Sequence, residues 1–570
     1  MGGKMRRKLR SAEFVSDEGG NAIMIFGLSL MPVMLMLGAT ADYTRFTTTR
    51  AALQQAADSA VLTVASKMTE STTNAQAKDQ AQVVLNAQPR MTTAIVTGAT
   101  VSEDKRTVCA TAKVTIQNSF MQMAQLATLT PTVKSCANLA GGADPGTTYE
   151  IALVLDNSGS MNSSSDGQSK ISILKSAANS FVDTMFSKSN NVKFSVVPFS
   201  SGVAAVDPSE PSSRNAAWVD KNGANSQHWI AFGGKTAANA AGFTSRFDIF
   251  DKLKARNSAL DWRGCFEPQV YPLNVNDTTP NPSDAETLFV PFLAPDEPDN
   301  SGWGGNPYWN NYFGDNPSAC SSSASGAWAR LSRACKYNAT GSLGGSFGPS
   351  DFKGSSSFCP DPGTQRILQL TQKKSDVQNK INQLVANGAT NLHEGFMWGW
   401  RTLSPNAPFS GGRAYQAPKN RKIMVFMTDG FNSWNSRVNT ATGSTYDTLG
   451  YYSYNGAENE RFPDGSQGNG VNYRSLLAAA ANNSSSYQTI SRAMQDELTR
   501  QACTNAKTAG IEVFTIGFSV SGDPIDAQGL ALMKECATNE DHYFKAEDAS
   551  QLNAAFSQIG IGLGKLRLSL

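Results

Sequence analysis

The chain has 570 residues, 40% of them apolar and 17% charged, with a formal net charge of +2. That length implies more than one domain, and the apolar fraction is that of a folded protein, not a disordered one. Five positive charges (Lys4, Arg6, Arg7, Lys8, Arg10) crowd the first ten residues, and setting them aside leaves −3 with no basic patch elsewhere, which argues against a nucleic-acid partner.

Residues 1–18 read as a basic cytoplasmic tail. From Gly19 to Ala41 there is no charge, and AIMIFGLSLMPVMLMLGATA is mostly apolar. Such a run approaches the ~20 residues a helix needs to cross a bilayer. The basic residues in front of it place the start of the chain in the cytoplasm and everything after Asp42 outside, in a single pass. The rival is a cleaved signal peptide, since Ala39-Thr40-Ala41 fits the small-residue cleavage pattern, but the apolar run exceeds the usual ~7–15-residue signal core.

Residues 42–90 read as helix, with Leu53, Ala56, Ala57, Ala60, Val61 and Val64 on one stripe. Over 92–140 the period changes to two: Val108, Ala110, Ala112, Val114 and Ile116 share a face. Together, 42–140 is expected to form a small α+β unit close to the membrane. The turn-rich GGADPGTT at 141–148 reads as a linker.

Residues 149–570 alternate strand and helix. Strands are expected at 149–155, 192–199, 422–428 and 511–518, and helices at about 168–187, 365–386 continuing through Trp400, 487–509 and 549–566. The strands read as continuous apolar runs, so the fold class is α/β: a doubly wound, mainly parallel sheet with helices on both faces. Two insertions interrupt it, 201–364 and 431–474. The first carries Cys265, Cys320, Cys335 and Cys359, and loops of such length need ordering devices. With Cys109 and Cys136, and Cys503 and Cys536, the eight cysteines fall into even groups without CxxC spacing, as disulfides of an oxidising compartment would. Four cysteines allow three pairings, so the middle group stays open.

Chemistry concentrates at two strand ends. DNSGS at 156–160 leaves the strand at 149–155 and puts Asp156, Ser158 and Ser160 on one turn; MVFMTDG ends the strand at 422–428 with Asp429. In open α/β sheets ligands sit at the carboxyl ends of strands. Thr390, in GATNLHEG, supplies a further hydroxyl. Small, hard oxygen donors of this kind suit a divalent cation such as Mg²⁺. By contrast, no nucleophile elbow and no phosphate-binding loop occurs, so an enzyme is not expected. His393 reads as packing locally, His228 as lacking an evident partner, Glu394 as a solvated helix-start charge, APDEPDN at 294–300 as a solvated turn, and Tyr312 and Phe313 as part of a mini-core.

The set DxSxS, a later Thr in a GxTxL loop and a strand ending in TDG resembles the metal-ion-dependent adhesion site of von Willebrand factor A domains. The resemblance implies that Ser158, Ser160 and Thr390 give hydroxyl oxygens to Mg²⁺ or Mn²⁺, that Asp156 and Asp429 act directly or through water, and that a partner protein supplies a carboxylate. Nearly end to end, the chain also resembles the TadG family of Tad/Flp pilus assembly proteins, in GGNAIMIFGLSLMPV…ADYTR, AAWVDKNG, RGCFEPQVYPLNV, LFVPFLAPDEPD and HYFKAEDASQLNAAFSQIGIGLGKLRLSL. TadE-type pseudopilins carry a Glu shortly after a processing glycine; here Gly20 is followed by Asn-Ala-Ile-Met-Ile, which points to a fixed membrane role and not to incorporation into a fibre. The resemblance thus implies a non-enzymatic inner-membrane protein with its bulk in the periplasm, binding other pilus components. The alternative is a released or surface adhesin using the same ion.

Overall fold

The computed structural model describes residues 18–68, 72–87, 91–102, 107–138, 147–165, 167–299, 310–341, 343, 354–355, 358–433 and 487–563; within these, nothing is said of the side chains of 18–25, 27–29, 31–35 and a few others. The chain divides into two compact units, 1–145 with 564–570, and 146–563.

In the first unit, helix α1 (Glu18–Lys67) runs unbroken through Asp42. The 19–41 run lies on it, but most of its side chains fall outside the described residues, as does the basic tail over 1–17. Among the described residues no helix is long and apolar enough to cross a membrane. The expected stripe of Leu53, Ala56, Ala57, Ala60, Val61 and Val64 is buried, against α2 (Asn74–Asn86) and a sheet of β1 (Ile95–Val101), β2 (Thr107–Lys113) and β3 (Thr132–Asn138). Small side chains let that helix lie close to the sheet. Helix does not continue from 42 to 90 as expected. It stops at Lys67 and restarts where Thr73 and Gln76 form a capping box, because reciprocal side-chain bonds satisfy the new N-terminus. Cys109 and Cys136 are register partners of β2 and β3 and are bonded to each other. Asp42 accepts from the backbone N–H groups of Ser119, Phe120 and Met121 at 3.0, 2.8 and 2.8 Å, holding that turn on α1.

The second unit is built on a six-stranded sheet. Its strands are β4 (Thr148–Asp156), β5 (Val192–Phe199), β6 (Leu368–Thr371), β7 (Asn420–Thr428), β8 (Ile511–Phe518) and β9 (Tyr543–Ala546), in the order β6-β5-β4-β7-β8-β9. All neighbours are parallel except β6, which runs antiparallel to β5 at the edge. Every residue of β4 is buried, as a strand covered on both faces must be.

Helices α3 (Lys170–Lys188) and α9 (Ala549–Leu563) pack together, with Phe181 of α3 against Phe194 of β5 and Phe556 of α9. Beside α3 lies α5 (Lys374–Asn382). Helix α6 (Leu392–Leu403) packs on β4, β5 and β7 and meets α7 (Tyr487–Thr508), which meets α8 (Ala527–Cys536). Gly395 and Gly399 let α6 lie directly on Phe199 and Val154, where any side chain would collide. The expected helix over 365–386 is only partly present: residues 368–371 are β6, and α5 is what remains. An edge strand needs pairing on one side only, and Leu368 and Thr371 find it opposite Val196 and Phe194.

The insertion at 201–364 is ordered where described. Its helix α4 (Arg246–Arg256) and short turns add Phe250, Trp262, Phe266, Phe292, Tyr312 and Tyr337 to the same apolar core as β4 and α6. The disulfides that staple it are Cys265–Cys359 and Cys320–Cys335, and the fourth pair of cysteines closes as Cys503–Cys536. Tyr312 and Phe313 pack with Tyr337, as a mini-core would. Of the insertion at 431–474, only 431–433 lie among the described residues.

Candidate functional site

Three loops meet at the carboxyl end of the sheet. β4 and β7 are adjacent and in register, Leu155 beside Met427, so Asp156 and Asp429 leave neighbouring strand ends. The third loop, 387–391, is tied to the first by Asn387 N–H on the Asn157 carbonyl at 2.8 Å and Gly159 N–H on the Gly388 carbonyl at 2.8 Å. It is tied to the loop after β7 by an exchange: Thr390 N–H donates to Ser433 Oγ at 3.1 Å, and Ser433 N–H to the Thr390 carbonyl at 2.9 Å. Asn391 then caps α6 by accepting from Glu394 N–H, which ends the loop.

These ties bring the five side chains together. Ser158 Oγ and Ser160 Oγ lie 3.0 Å apart, and Ser160 Oγ donates to Asp429 Oδ1 at 2.7 Å. A Cβ built on Gly430 would stand 3.3 Å from Thr390 Oγ1 and 3.9 Å from Ser160 Oγ, so the two hydroxyls flank that glycine. Asp156 is buried; its Oδ1 accepts from Ser158 N–H at 2.7 Å and its Oδ2 from Thr428 Oγ1 at 2.6 Å. Burial, then the nearby Asp429 charge, pushes Asp156 up to about 7, and burial also raises Asp429 despite the opposing pull of Lys170. Both shifts have one physical cause: two carboxylates held out of water in one place.

Lys170 and Asp523 also belong to this neighbourhood, and the sequence reading missed them. Lys170, wholly buried at the start of α3, pairs with Asp429 at 2.8 Å and with Asp523 at 2.8 Å. Nothing in SDGQSK marks the lysine as buried, because Lys is almost always solvated.

Among the described residues no group of three or more His, Cys, Asp or Glu side chains is placed to hold a metal ion. The cluster instead offers two carboxylates and three hydroxyls, the donor chemistry of a hard divalent cation. Its buried negative charge is offset on the protein side by Lys170 alone among the described contacts, so a cation suits it.

The remaining candidates lie elsewhere. His393 is buried; its Nε2 meets the Asn274 carbonyl at 2.7 Å, and burial lowers its pKa to about 4. His228 does have partners: Nδ1 meets Asp220 at 2.7 Å and Nε2 accepts from Arg246 N–H at 2.8 Å. Glu394 is not solvated but buried, accepting from Trp398 Nε1 at 2.9 Å. The acidic run over 294–298 is likewise buried, with Asp296 paired to Lys336 at 2.8 Å. Glu394 and Asp296 are charges that sequence alone assigns to water and that specific partners draw inside, whereas His393 packs locally as expected.

Comparison with known proteins gives two family matches. Residues 20–67 match the Tad family, described as Flp pilus-assembly TadE/G-like, and residues 151–241 match the von Willebrand factor type A domain. No curated protein sequence matches. Among solved structures, the pilus adhesin SpaC of Lactobacillus rhamnosus GG is 12% identical with a TM-score of 0.32 over 83% of this chain and 35% of its own. The pilus adhesin RrgA of Streptococcus pneumoniae is 12% identical with a TM-score of 0.33 over 82% and 48%. The von Willebrand domain of the type V pili tip protein Mfa5 of Porphyromonas gingivalis is 11% identical with a TM-score of 0.30 over 74% and 98%. The chain thus spans about a third to a half of the first two, and likeness at this level carries no argument about function. The parallel sheet with its α6–α7 and α3–α9 layers is a von Willebrand factor A-like fold. A TadE/G-like N-terminal segment followed by a von Willebrand factor type A domain is the TadG-type arrangement, and this chain has it.

Proposed function

We propose that the chain is a non-enzymatic, membrane-anchored component of Tad/Flp pilus assembly that grips a partner protein through a divalent cation held by Asp156, Ser158, Ser160, Thr390 and Asp429. The observation that supports this reading is the stitching of three loops, distant in sequence, which brings Ser158, Ser160 and Asp429 into contact with Thr390 and Asp156 beside them. Mg²⁺ or Mn²⁺ bound there supplies a Lewis-acidic position for an outside oxygen, and a carboxylate of the partner is its natural occupant. Asp156 and Asp429 balance the ion's charge, whereas the three neutral hydroxyls leave it electrophilic.

The uncharged 19–41 run and the basic residues before it support a single pass through the inner membrane, with the start of the chain cytoplasmic and the rest periplasmic. Closure of all eight cysteines in disulfides is in keeping with a periplasmic setting. The proposed partners are other pilus components, and nucleic acid is not among them.

The test is crosslinking in cells that make pili. Wild-type protein should recover pilus components in the presence of Mg²⁺, and Asp156→Ala should lose both that recovery and pilus production while keeping its melting temperature. Unchanged recovery and piliation with Asp156→Ala would count against the reading. N-terminal sequencing separates the released-adhesin alternative, for which the mature chain would begin at Asp42.

A further inference from the structure

We propose that Lys170 is a built-in cation that sets how tightly the five-oxygen cluster holds a divalent ion, and that Asp523 tunes Lys170 from the opposite side. The inference deepens the function proposed above and rests on it. Lys170 opens α3 and is wholly buried. Its Nζ donates to Asp429 Oδ2 at 2.8 Å, to Asp523 Oδ2 at 2.8 Å and to the Asp523 carbonyl at 3.3 Å. An ammonium has three donors, and these three acceptors use them all.

Two consequences follow for Asp429. Its Oδ1 accepts from Ser160 Oγ and its Oδ2 is committed to Lys170, so the carboxylate turns a single oxygen towards the cluster. Asp429 therefore meets an ion through one oxygen, directly or through water, and not with both. The second consequence is electrostatic. Asp156 and Asp429 bring two negative charges, and a buried positive charge in contact with one of them weakens the field that a divalent ion meets. Low-dielectric surroundings make that opposition larger than it is at a surface.

Asp523 acts in the other direction. Its carboxylate is 41% exposed, on the turn after β8 where Val520 and Asp523 pair. By neutralising part of the Lys170 charge, it hands Asp429 back to the cluster. Lys170 is thus a positioning and charge-setting residue outside the ligand set, and the pair Lys170–Asp523 adjusts affinity without touching the ion.

The experiment is Mn²⁺ binding followed by electron paramagnetic resonance, on the full chain in detergent, for wild type, Asp156→Ala, Lys170→Met and Asp523→Asn. Lys170→Met should bind Mn²⁺ roughly 10- to 100-fold more tightly, the effect of removing one charge at a few ångströms in a partly screened site. Asp523→Asn should bind it roughly 3- to 10-fold more weakly. A merely structural lysine predicts weaker binding in both variants, so the opposite signs are diagnostic. Equal or weaker binding by folded Lys170→Met overturns the inference. Should Lys170→Met fail to fold, Lys170→Gln, which keeps donors for Asp429 and Asp523 without the charge, takes its place: tighter Mn²⁺ binding than wild type upholds the inference, and equal or weaker binding overturns it. If wild type binds no ion, or Asp156→Ala binds as wild type does, it is the five-residue reading that fails.

Discussion

The backbones of Gly159 and Gly388 meet, with the Gly159 N–H donating to the Gly388 carbonyl at 2.8 Å. A side chain would be crowded at either position. A Cβ at Gly159 would stand 3.2 Å from the Gly388 carbonyl oxygen, and one at Gly388 would stand 3.1 Å from the hydroxyls of Ser200 and Ser201. Gly388 also has φ of +91°, a conformation that favours glycine. Gly388→Ala should therefore cost about 1–3 kcal/mol of stability and push the 387–391 loop off the serine loop. Urea unfolding and Mn²⁺ titration check this together: the variant should be less stable and bind at least several-fold more weakly. Wild-type affinity in a destabilised variant would show that the Thr390 loop does not set the site.

Acid stability should depend on His393. Burial holds its folded pKa at about 4, below the ordinary value of about 6.5. Between those values the unfolded chain binds the proton and the folded chain does not, so stability present above pH 6.5 is lost as pH falls towards 4. The contribution is about 3 kcal/mol across that window. His393→Gln, which keeps a donor for the Asn274 carbonyl, should flatten the slope relative to wild type between pH 6.5 and 4.5. Parallel slopes in urea unfolding would refute this assignment.

The Cys265–Cys359 disulfide closes a loop with a sequence separation of 94 residues. Replacing both cysteines by Ala should destabilise the second unit by up to about 4–5 kcal/mol on the chain-entropy account. The loss should appear as a lower urea midpoint and as early proteolysis within 201–364. A midpoint equal to that of wild type would mean the inserted core holds itself.

In the first unit, Asp42→Ala removes the acceptor of three backbone N–H groups at 119–121. Faster hydrogen exchange confined to that turn is expected, because orphaned donors open to water. Exchange unchanged at 119–121 would show that packing, including Phe120 against Gly38, suffices.

What was legible in the sequence follows from physics. β4, β7 and β8 are covered on both faces and so read as mostly apolar runs. Asp156, Ser158, Ser160 and Asp429 were legible because they stand at or just past the ends of β4 and β7, whereas Thr390 lies on the 387–391 loop before α6. The edge strand Leu368–Thr371 was not: it is short, half-buried and set in sequence that tolerates helix. Lys170 and Asp296 were missed or misread for a common reason. A charge is assigned to water by default, and only a partner distant in sequence, such as Asp429 for Lys170 or Lys336 for Asp296, makes burial tolerable. The break between α1 and α2 depended on a reciprocal cap, Thr73 with Gln76, whose local signal is weak inside a long helix-favouring stretch.

The most direct measurement is the anomalous difference density of a crystal grown with Mn²⁺. The account predicts a single strong peak at about 2.1–2.3 Å from Ser158 Oγ and Ser160 Oγ, near Thr390 Oγ1, with Lys170 Nζ still on Asp429. No peak there in crystals that hold Mn²⁺ elsewhere, or a peak that persists in Ser160→Ala with Thr390→Val, would contradict it.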